Sequence, residues 1–404
     1  MAITNTRSIS RFSTDATLPR DVSEDMILRE PDASHLFVLT AGAKRKKPAE
    51  TPKFEWYEDQ EVTFWGQVNN GTTNLSSIAT AIPVADITIF AAGDLVAVPA
   101  GTSGTTEEVF LVTAVAGSST GTLTVQRNIG SAGADTLGPT ASLRIIGSAM
   151  AEDDDTPTQR YQAQTNKVSY CQIFRTPVKI THTAASTKKY GGPDRKFQLL
   201  KALIRHRSEI EAAGLWSRAQ ETLAASGGSN SRWTTMGLKP IISTNKTNAN
   251  GTLTQTVFNN FCENAFRYGQ PQKLLIAAPK VMSAINSFAQ GKLNAYSSDK
   301  VYGVHLTRYI APLGEFLLKN NYRFEAGISG ANGFDDEAIA VDLPSCELRY
   351  LNGGDKIIGD TKLFQDVEQD GTTVRTDEYR SQIGWSFRHE IKHALLYNVK
   401  AYSG

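Results

Sequence analysis

The sequence predicts an α+β fold with a separate all-β insert, and three patterns carry that prediction. Residues 70–150 hold a dense set of short alternating runs separated by Gly, Ser and Thr. An unusually long helical stretch follows, in "GGPDRKFQLLKALIRHRSEIEAAGLWSRAQETLAASGG". Beyond it, two amphipathic helices sit among strands without a repeating βαβ order. Length and composition agree: 404 residues allow two or three domains, and 40% hydrophobic with 21% charged residues is an ordinary folded composition.

Taken in order, residues 1–50 are polar and irregular, with Pro19, Pro31 and Pro48, and read as an arm. Lys44, Arg45, Lys46 and Lys47 within it form the densest positive cluster of the chain. Such a run is either a solvated loop or a phosphate-facing arm. Residues 54–166 contain no lysine. Inside them "ADITIF", "DLVAVPA", "EEVFLVTAV", "GTLTVQR" and "ASLRIIG" are strands at the spacing of a small barrel or sandwich. Asp153-Asp154-Asp155 closes the insert as a solvated loop, since a hard-cation site needs more oxygen ligands at defined spacing.

"KVSYCQIFRTPVKITHTA" (167–184) reads as strand. Pro193 and Asp194 suit the first turn of the helix that follows, and Gly227-Gly228 its end. About 32 residues at 1.5 Å each give about 48 Å, a strut. Leu199, Leu203 and Ile210 mark its apolar face, with Arg205–Glu209 and Arg207–Glu211 one turn apart outside. Phe258, Phe261, Cys262, Ala265 and Phe266 share one face of a further helix that Gly269 ends. "KLLIAA" is a buried strand, and Pro279 opens a helix with Val281, Ile285 and Phe288 on one side, ended by Gly291. From 301 the pattern is strand-like, with turns at Pro312-Leu313-Gly314, Gly353-Gly354 and Asp370-Gly371.

Several function classes find no foothold. The net charge of +1 provides no global field toward nucleic acid or acidic lipid. No secretory signal or membrane span is predicted. Cys171, Cys262 and Cys346 are far apart, form no C-x-x-C and read as reduced, buried thiols. Gly117 to Gly121 matches G-x-S-x-G, but strands flank it on both sides, so it is a hairpin loop and not a nucleophile elbow. No phosphate-binding glycine motif is present, and no cofactor is predicted.

His389-Glu390-Ile391-Lys392-His393 matches the zinc motif H-E-x-x-H. Two features oppose that reading. No Asp, Glu or His follows His393 to complete the ligand set. Alternation over 383–399 argues for strand, broken or bent near 389–394. On a strand the two imidazoles stand about 13 Å apart, four steps of about 3.3 Å, too far for one zinc. His35, His182, His206 and His305 form no cluster at ligand spacing. No catalytic or metal site is therefore expected.

The order of parts resembles the major capsid proteins of tailed bacteriophages with the Hong Kong 97 (HK97-like) fold, and more narrowly the short-tailed-phage subfamily with a β insert in its extended loop. "VSYCQIFRTPVKITHTA" with "YGGPDRKFQLLKALIRHRSEIEAAGLWSRA" is similar to that family's strand and spine helix. "RWTTMGLKPIISTN" resembles the entry to its axial domain, and "LTQTVFNNFCENAFRYGQPQKLLIAAPKVMSAINSFA" the helix–strand–helix of that domain. "YRSQIGWSFRHEIKHALLYNV" resembles its closing strand.

The resemblance implies an N-terminal arm at 1–50 and an extended loop at 51–166 carrying the insert. It implies a peripheral-domain strand and spine helix at 167–231, a mainly axial domain with returning strands at 232–380, and a closing peripheral-domain strand at 381–404. It also implies a structural, non-enzymatic subunit that self-assembles into the pentamers and hexamers of an icosahedral virion capsid enclosing double-stranded DNA, put together in the host cytoplasm without a membrane. Lys44, Arg45, Lys46 and Lys47 would face DNA, with sequence-independent contacts, or a neighbouring subunit. Portal, scaffold and decoration proteins are conceivable partners. The alternatives are an encapsulin-like nanocompartment shell and, remotely, a zinc metallopeptidase.

Overall fold

The computed structural model describes residues 34–402 except 60, 62, 101–106, 131–132, 153–163, 188–193, 224–230, 289–292, 302–303, 328–332 and 353–358. Most of the arm, the Asp153–Asp155 run, Pro193, Gly227-Gly228, Gly291 and Gly353-Gly354 thus lie outside the described residues. The chain forms two compact units, Met1–Trp56 with Lys167–Gly404, and Tyr57–Asn166.

The described chain begins with helix α1 (His35–Gly42) and strand β1 (Lys46–Ala49). This corrects the expectation of irregular structure throughout 1–50. The helix is too short for a period to show, yet Leu36, Phe37 and Leu39 are buried in the main core. Strand β2 (Lys53–Glu58) then leads into the second unit.

That unit contains β3 (Trp65–Gln67), β4 (Ala81–Val84), β5 (Asp94–Val98), β6 (Glu108–Gly117), β7 (Gly121–Gln126) and β8 (Ser142–Ser148). They form an antiparallel sheet in the order β3-β8-β5-β6-β7-β4. Its two edges meet. Asn69 N–H donates to Pro83 O at 2.9 Å, Ala85 N–H to Gln67 O at 3.0 Å, and Val68 bridges Val84. Of the two expected forms, barrel or sandwich, the barrel is the one present. Val96, Phe110, Val112, Leu123 and Leu143 point inward by strand alternation and fill it. The G-x-S-x-G match is the β6–β7 hairpin. Gly117 has φ +137°, and a Cβ on Gly121 would lie 2.2 Å from Ala116 O. Glu108 and Arg127 form a buried two-pronged ion pair inside the unit, and Arg127 also donates to Ser76 O at 2.7 Å.

The chain returns along β9 (Thr165–Tyr170), which pairs with β2 as a two-stranded ribbon, and continues into β10 (Gln172–Thr181). Helices α2 (His182–Ser186) and α3 (Asp194–Trp216) follow. α3 has 23 residues, not about 32. Where its last turns were expected, the chain forms β11 (Gln220–Leu223), which pairs with β12 (Ser231–Thr234) as a hairpin. Thr234 Oγ1 donates to Arg218 O at 2.6 Å, and Gly237 packs so closely on Ser217 that a Cβ would meet its backbone at 2.2 Å. These contacts, from the second strand of the hairpin and from just past it, stop the helix.

The buried face of α3 also differs from expectation. Ala202, His206, Ile210 and Leu215 are buried, whereas Leu199 and Leu203 are half-buried. Glu211, placed outside by spacing, is inside, accepting from Phe37 N–H at 3.2 Å and Asn321 Nδ2 at 2.9 Å. Arg205 and Glu209 do pair on the surface, at 2.9 Å.

After α4 (Leu238–Ile241) come β13 (Lys246–Leu253), α5 (Gln255–Phe266), β14 (Gln272–Ala277) and α6 (Pro279–Phe288). Thr254 caps α5 by accepting Val257 N–H, and Gly269 with φ +90° follows its end. Then come β15 (Leu293–Val301), β16 (Val304–Ala311), β17 (Gly314–Asn320), β18 (Ala338–Val341), β19 (Cys346–Leu351), β20 (Lys362–Phe364), β21 (Val374–Phe387) and β22 (Ala394–Tyr402). A mixed seven-stranded sheet runs β13-β22-β18-β14-β17-β16-β15. α5 lies on it, with Phe258 edge-on to Tyr309 at 5.4 Å and Phe266 against Phe316 at 4.4 Å.

A five-stranded sheet runs β1-β19-β21-β10, with β20 also on β21. β1 pairs with β19 in parallel, Lys47 registering with Arg349. α3 packs on one face: Trp385 Nε1 donates to Ile210 O at 3.0 Å. The stretch 381–404, expected as one closing strand of a single domain, is divided between sheets. β21 lies in the five-stranded sheet and β22 in the seven-stranded one. No described helix is long and apolar enough to cross a membrane.

Candidate functional site: basic strand edge and zinc-motif turn

The basic cluster sits at the start of an edge strand. Lys44 is exposed with φ +57°, a left-handed turn between α1 and β1. Arg45 Nη1 donates to Pro344 O. Lys46 pairs with Asp360, and its ammonium lies 5.8 Å from the ring centroids of both Phe37 and Tyr350. Lys47 Nζ is 2.8 Å from Glu347 Oε1. Three of the four cations therefore fasten β1 to its own chain.

Glu347 collects more than Lys47. Arg349 Nη2 is 3.0 Å and Arg388 Nη2 3.1 Å from its Oε2. Burial alone would raise the Glu347 carboxyl, but its three cations outweigh burial and hold it below the usual carboxylate range. A second centre of this kind lies on β10 and β21. Glu378 accepts from Arg175 Nη2 at 2.9 Å and from Arg380 Nε at 2.6 Å. Sequence reasoning missed Arg175, Arg349, Arg380 and Arg388. The alternation Arg175, Pro177, Lys179 in β10 was the visible signal, but the rest depends on strand register.

The H-E-x-x-H segment is a turn joining the two sheets. His389 has φ +53°, and Glu390–Lys392 is a single 3-10 turn. Glu390 accepts from Ser243 Oγ at 2.7 Å, Thr244 Oγ1 at 2.6 Å and the N–H groups of both residues. Burial works to raise its pKa, and those four hydrogen bonds outweigh it and lower it. Asn245 Nδ2 donates to Ile391 O at 2.6 Å and His393 O at 3.2 Å. Lys273 is buried, donating to Tyr268 O at 2.7 Å, Lys392 O at 2.6 Å and Ala265 O. Burial pulls its pKa down to about 8.

His393 is fully buried, its Nδ1 accepting Asp342 N–H at 3.3 Å. Burial lowers its pKa to about 3, so the imidazole is neutral. Among the described residues no group of three or more His, Cys, Asp or Glu could hold a metal ion. With its carboxylate engaged by residues 243–244, Glu390 serves as a structural acceptor rather than a general base. His206 is buried between Thr176 Oγ1 at 2.9 Å and Ser381 Oγ at 2.6 Å, and burial lowers its pKa. The three cysteines are buried free thiols, Cys171 pushed up to about 12 by burial.

A family model described as SU10 major capsid protein matches residues 3–400 of the chain. No curated protein matches it. Among solved structures, the chain is similar to one titled "Capsid of native GTA particle computed with C5 symmetry". The identity is 10%, covering 97% of this chain and 99% of the other, with a TM-score of 0.47. It is similar to one titled "Gordonia phage Cozz" at 10% identity, 100% and 98% coverage and a TM-score of 0.46. It is also similar to the holo-SrpI encapsulin complex from Synechococcus elongatus PCC 7942, at 9% identity, 58% and 76% coverage and a TM-score of 0.43.

Proposed function

The chain belongs to the SU10 major capsid protein family, and on that premise we propose that its copies close into an icosahedral shell of pentamers and hexamers around double-stranded DNA. Its role is that of a structural capsid subunit in a homo-oligomeric shell of the virion. The match from residue 3 to residue 400 carries this reading. It also favours a capsid over a cellular nanocompartment.

In an HK97-like reading, the five-stranded sheet with α3 is the peripheral domain and the seven-stranded sheet with α5 and α6 the axial domain. Residues 51–166 are the extended loop with its barrel, and 1–50 the arm. β21 and β22 then run from one domain into the other through the turn at Glu390. A shell of this kind is held by many weak contacts per copy, so avidity rather than any single interface provides its strength. Packaged DNA meets such a wall through sequence-independent phosphate contacts. Assembly takes place in the host cytoplasm, with portal, scaffold or decoration proteins as further partners.

Electron microscopy of the purified protein tests the reading. Rings of five or six subunits, or closed icosahedral particles, are the expected result. A protein that stays monomeric across concentration, salt and pH overturns it.

A further inference from the structure

A cavity of about 470 Å3 opens beside the C-terminal end of α3. Small-molecule sites typically measure about 300–1,000 Å3. Trp216 ends α3, and Arg218 follows it. Lys239 comes from α4, Lys246 from the start of β13, and Phe334 and Glu337 from the loop before β18. None of these six residues belongs to the basic strand edge or to the zinc-motif turn.

The inner wall is aromatic. The Phe334 ring stacks on the Trp216 indole, with centroids 4.6 Å apart and planes at 20°. The Lys239 ammonium lies 4.9 Å from the Phe334 centroid and pairs with Glu337 Oε1. Glu337 is 6% exposed, and its other oxygen, Oε2, is buried with no hydrogen-bond partner among the described residues. Native interiors pair such atoms, so this one marks a place where something else supplies the donor.

The mouth is cationic. Arg218 and Lys246 are exposed and have no ion-pair partner among the described residues. With Lys239 they face the single lining carboxylate of Glu337. Asp336 acts on Glu337 from nearby but does not line the cavity.

The chemistry of the wall selects its ligand. An anionic group suits Arg218 and Lys246, a flat ring suits the indole, and an N–H donor suits Glu337 Oε2. A simple anion lacks the ring, and an aromatic acid lacks the donor. A nucleotide carries all three: a phosphate, a base that stacks on aromatic side chains, and N–H groups on the edge of that base. Phe334 holds the place of the base on the indole. It is 39% exposed, and exposed side chains change rotamer within nanoseconds, so its ring can yield.

We propose that this cavity binds a nucleotide, its base on Trp216 and against Glu337 Oε2, its phosphate on Arg218 and Lys246. The site lies within one chain, so the proposal stands apart from the shell reading, and subunits that form no particle serve the test equally.

Calorimetric titration of the purified full chain with deoxyadenosine monophosphate provides that test, with tryptophan fluorescence beside it. The monophosphate should bind and quench Trp216, one of five tryptophans, and Trp216→Leu should abolish the quenching. Deoxyadenosine, deoxyribose 5-phosphate, inorganic phosphate and benzoate each lack one required group and should bind about tenfold more weakly or worse. Arg218→Ala with Lys246→Ala should weaken the monophosphate about tenfold and leave deoxyadenosine unchanged. Thermal unfolding checks that each variant keeps its fold. Competition by a single-stranded oligonucleotide identifies the ligand as an unpaired nucleotide of a strand, and its failure to compete identifies a free nucleotide. No binding up to about 10 mM overturns the proposal. So does deoxyribose 5-phosphate or inorganic phosphate that binds as tightly as the monophosphate, since the cavity is then an anion crevice. Unchanged affinity in the double-alanine variant overturns it too, as does a duplex that competes as well as a single strand.

Discussion

Glu390 organises a turn at the scale of one residue. Its carboxylate takes four hydrogen bonds from Ser243 and Thr244, and the chain passes from β21 to β22 around it. Glu390→Ala leaves those donors without their acceptor and should cost about 1–3 kcal/mol in urea unfolding of the subunit. Glu390→Gln should recover part of that loss, and added zinc should change neither result.

The buried histidines set a pH dependence. His206 and His393 have folded pKa values below the unfolded value of 6.5, His393 at about 3. Below pH 6.5 the unfolded chain binds protons that the folded one does not, so stability is full above 6.5 and falls as pH drops. Between pH 6.5 and about 4.5, where most carboxylates still stay charged, His393 should contribute a slope of up to about 1.4 kcal/mol per unit, and His206 adds to it in the same direction. His393→Phe should flatten the curve measured by chemical unfolding. An unchanged slope would show that His393 is reachable by protons in the folded state.

Elements end and face where their neighbours require. α3 illustrates both. Gly214 lies in its interior, where alanine is ordinarily better by about 1 kcal/mol. Here a Cβ would stand 2.6 Å from the buried Trp385 ring, whose Nε1 is held by Ile210 O. Gly214→Ala should therefore destabilise the subunit, by about 1–3 kcal/mol, against its helix propensity. Thermal unfolding decides the sign. Amphipathic α5 and the strands β5 to β8 were legible because their buried residues recur every 3.6 or every 2 positions, whereas "ADITIF", expected as a strand, is bend and turn at 85–90, and β3 and β4 carried no such signal. The end of α3 was not legible, because Thr234, in the second strand of the following hairpin, and Gly237, just past it, terminate the helix. Glu211 was misplaced for the same reason: its partners, Phe37 and Asn321, are more than one hundred residues away.

In the whole molecule the barrel unit and the remainder have separate hydrophobic cores. Independent cores predict two unfolding transitions in calorimetry of the monomer. Arg127→Ala strands Glu108 inside the barrel and should lower one transition only, by about 3–5 kcal/mol of that unit's stability. A single transition, or equal shifts of two, would show that the units unfold as one.

The sequence by itself determined most of the periodic elements, the presence of a β-rich insert, the break near 389–394 and the buried state of the three thiols. Each depends on which side of a local segment avoids water. Only the tertiary structure decided that the barrel closes, that Lys47 and Arg349 share a face, and that Arg175 opposes Arg380. Strand register places these residues, and register is set by partners up to about three hundred positions away. The basic run at 44–47 was visible as charge. Most of it is consumed in holding β1.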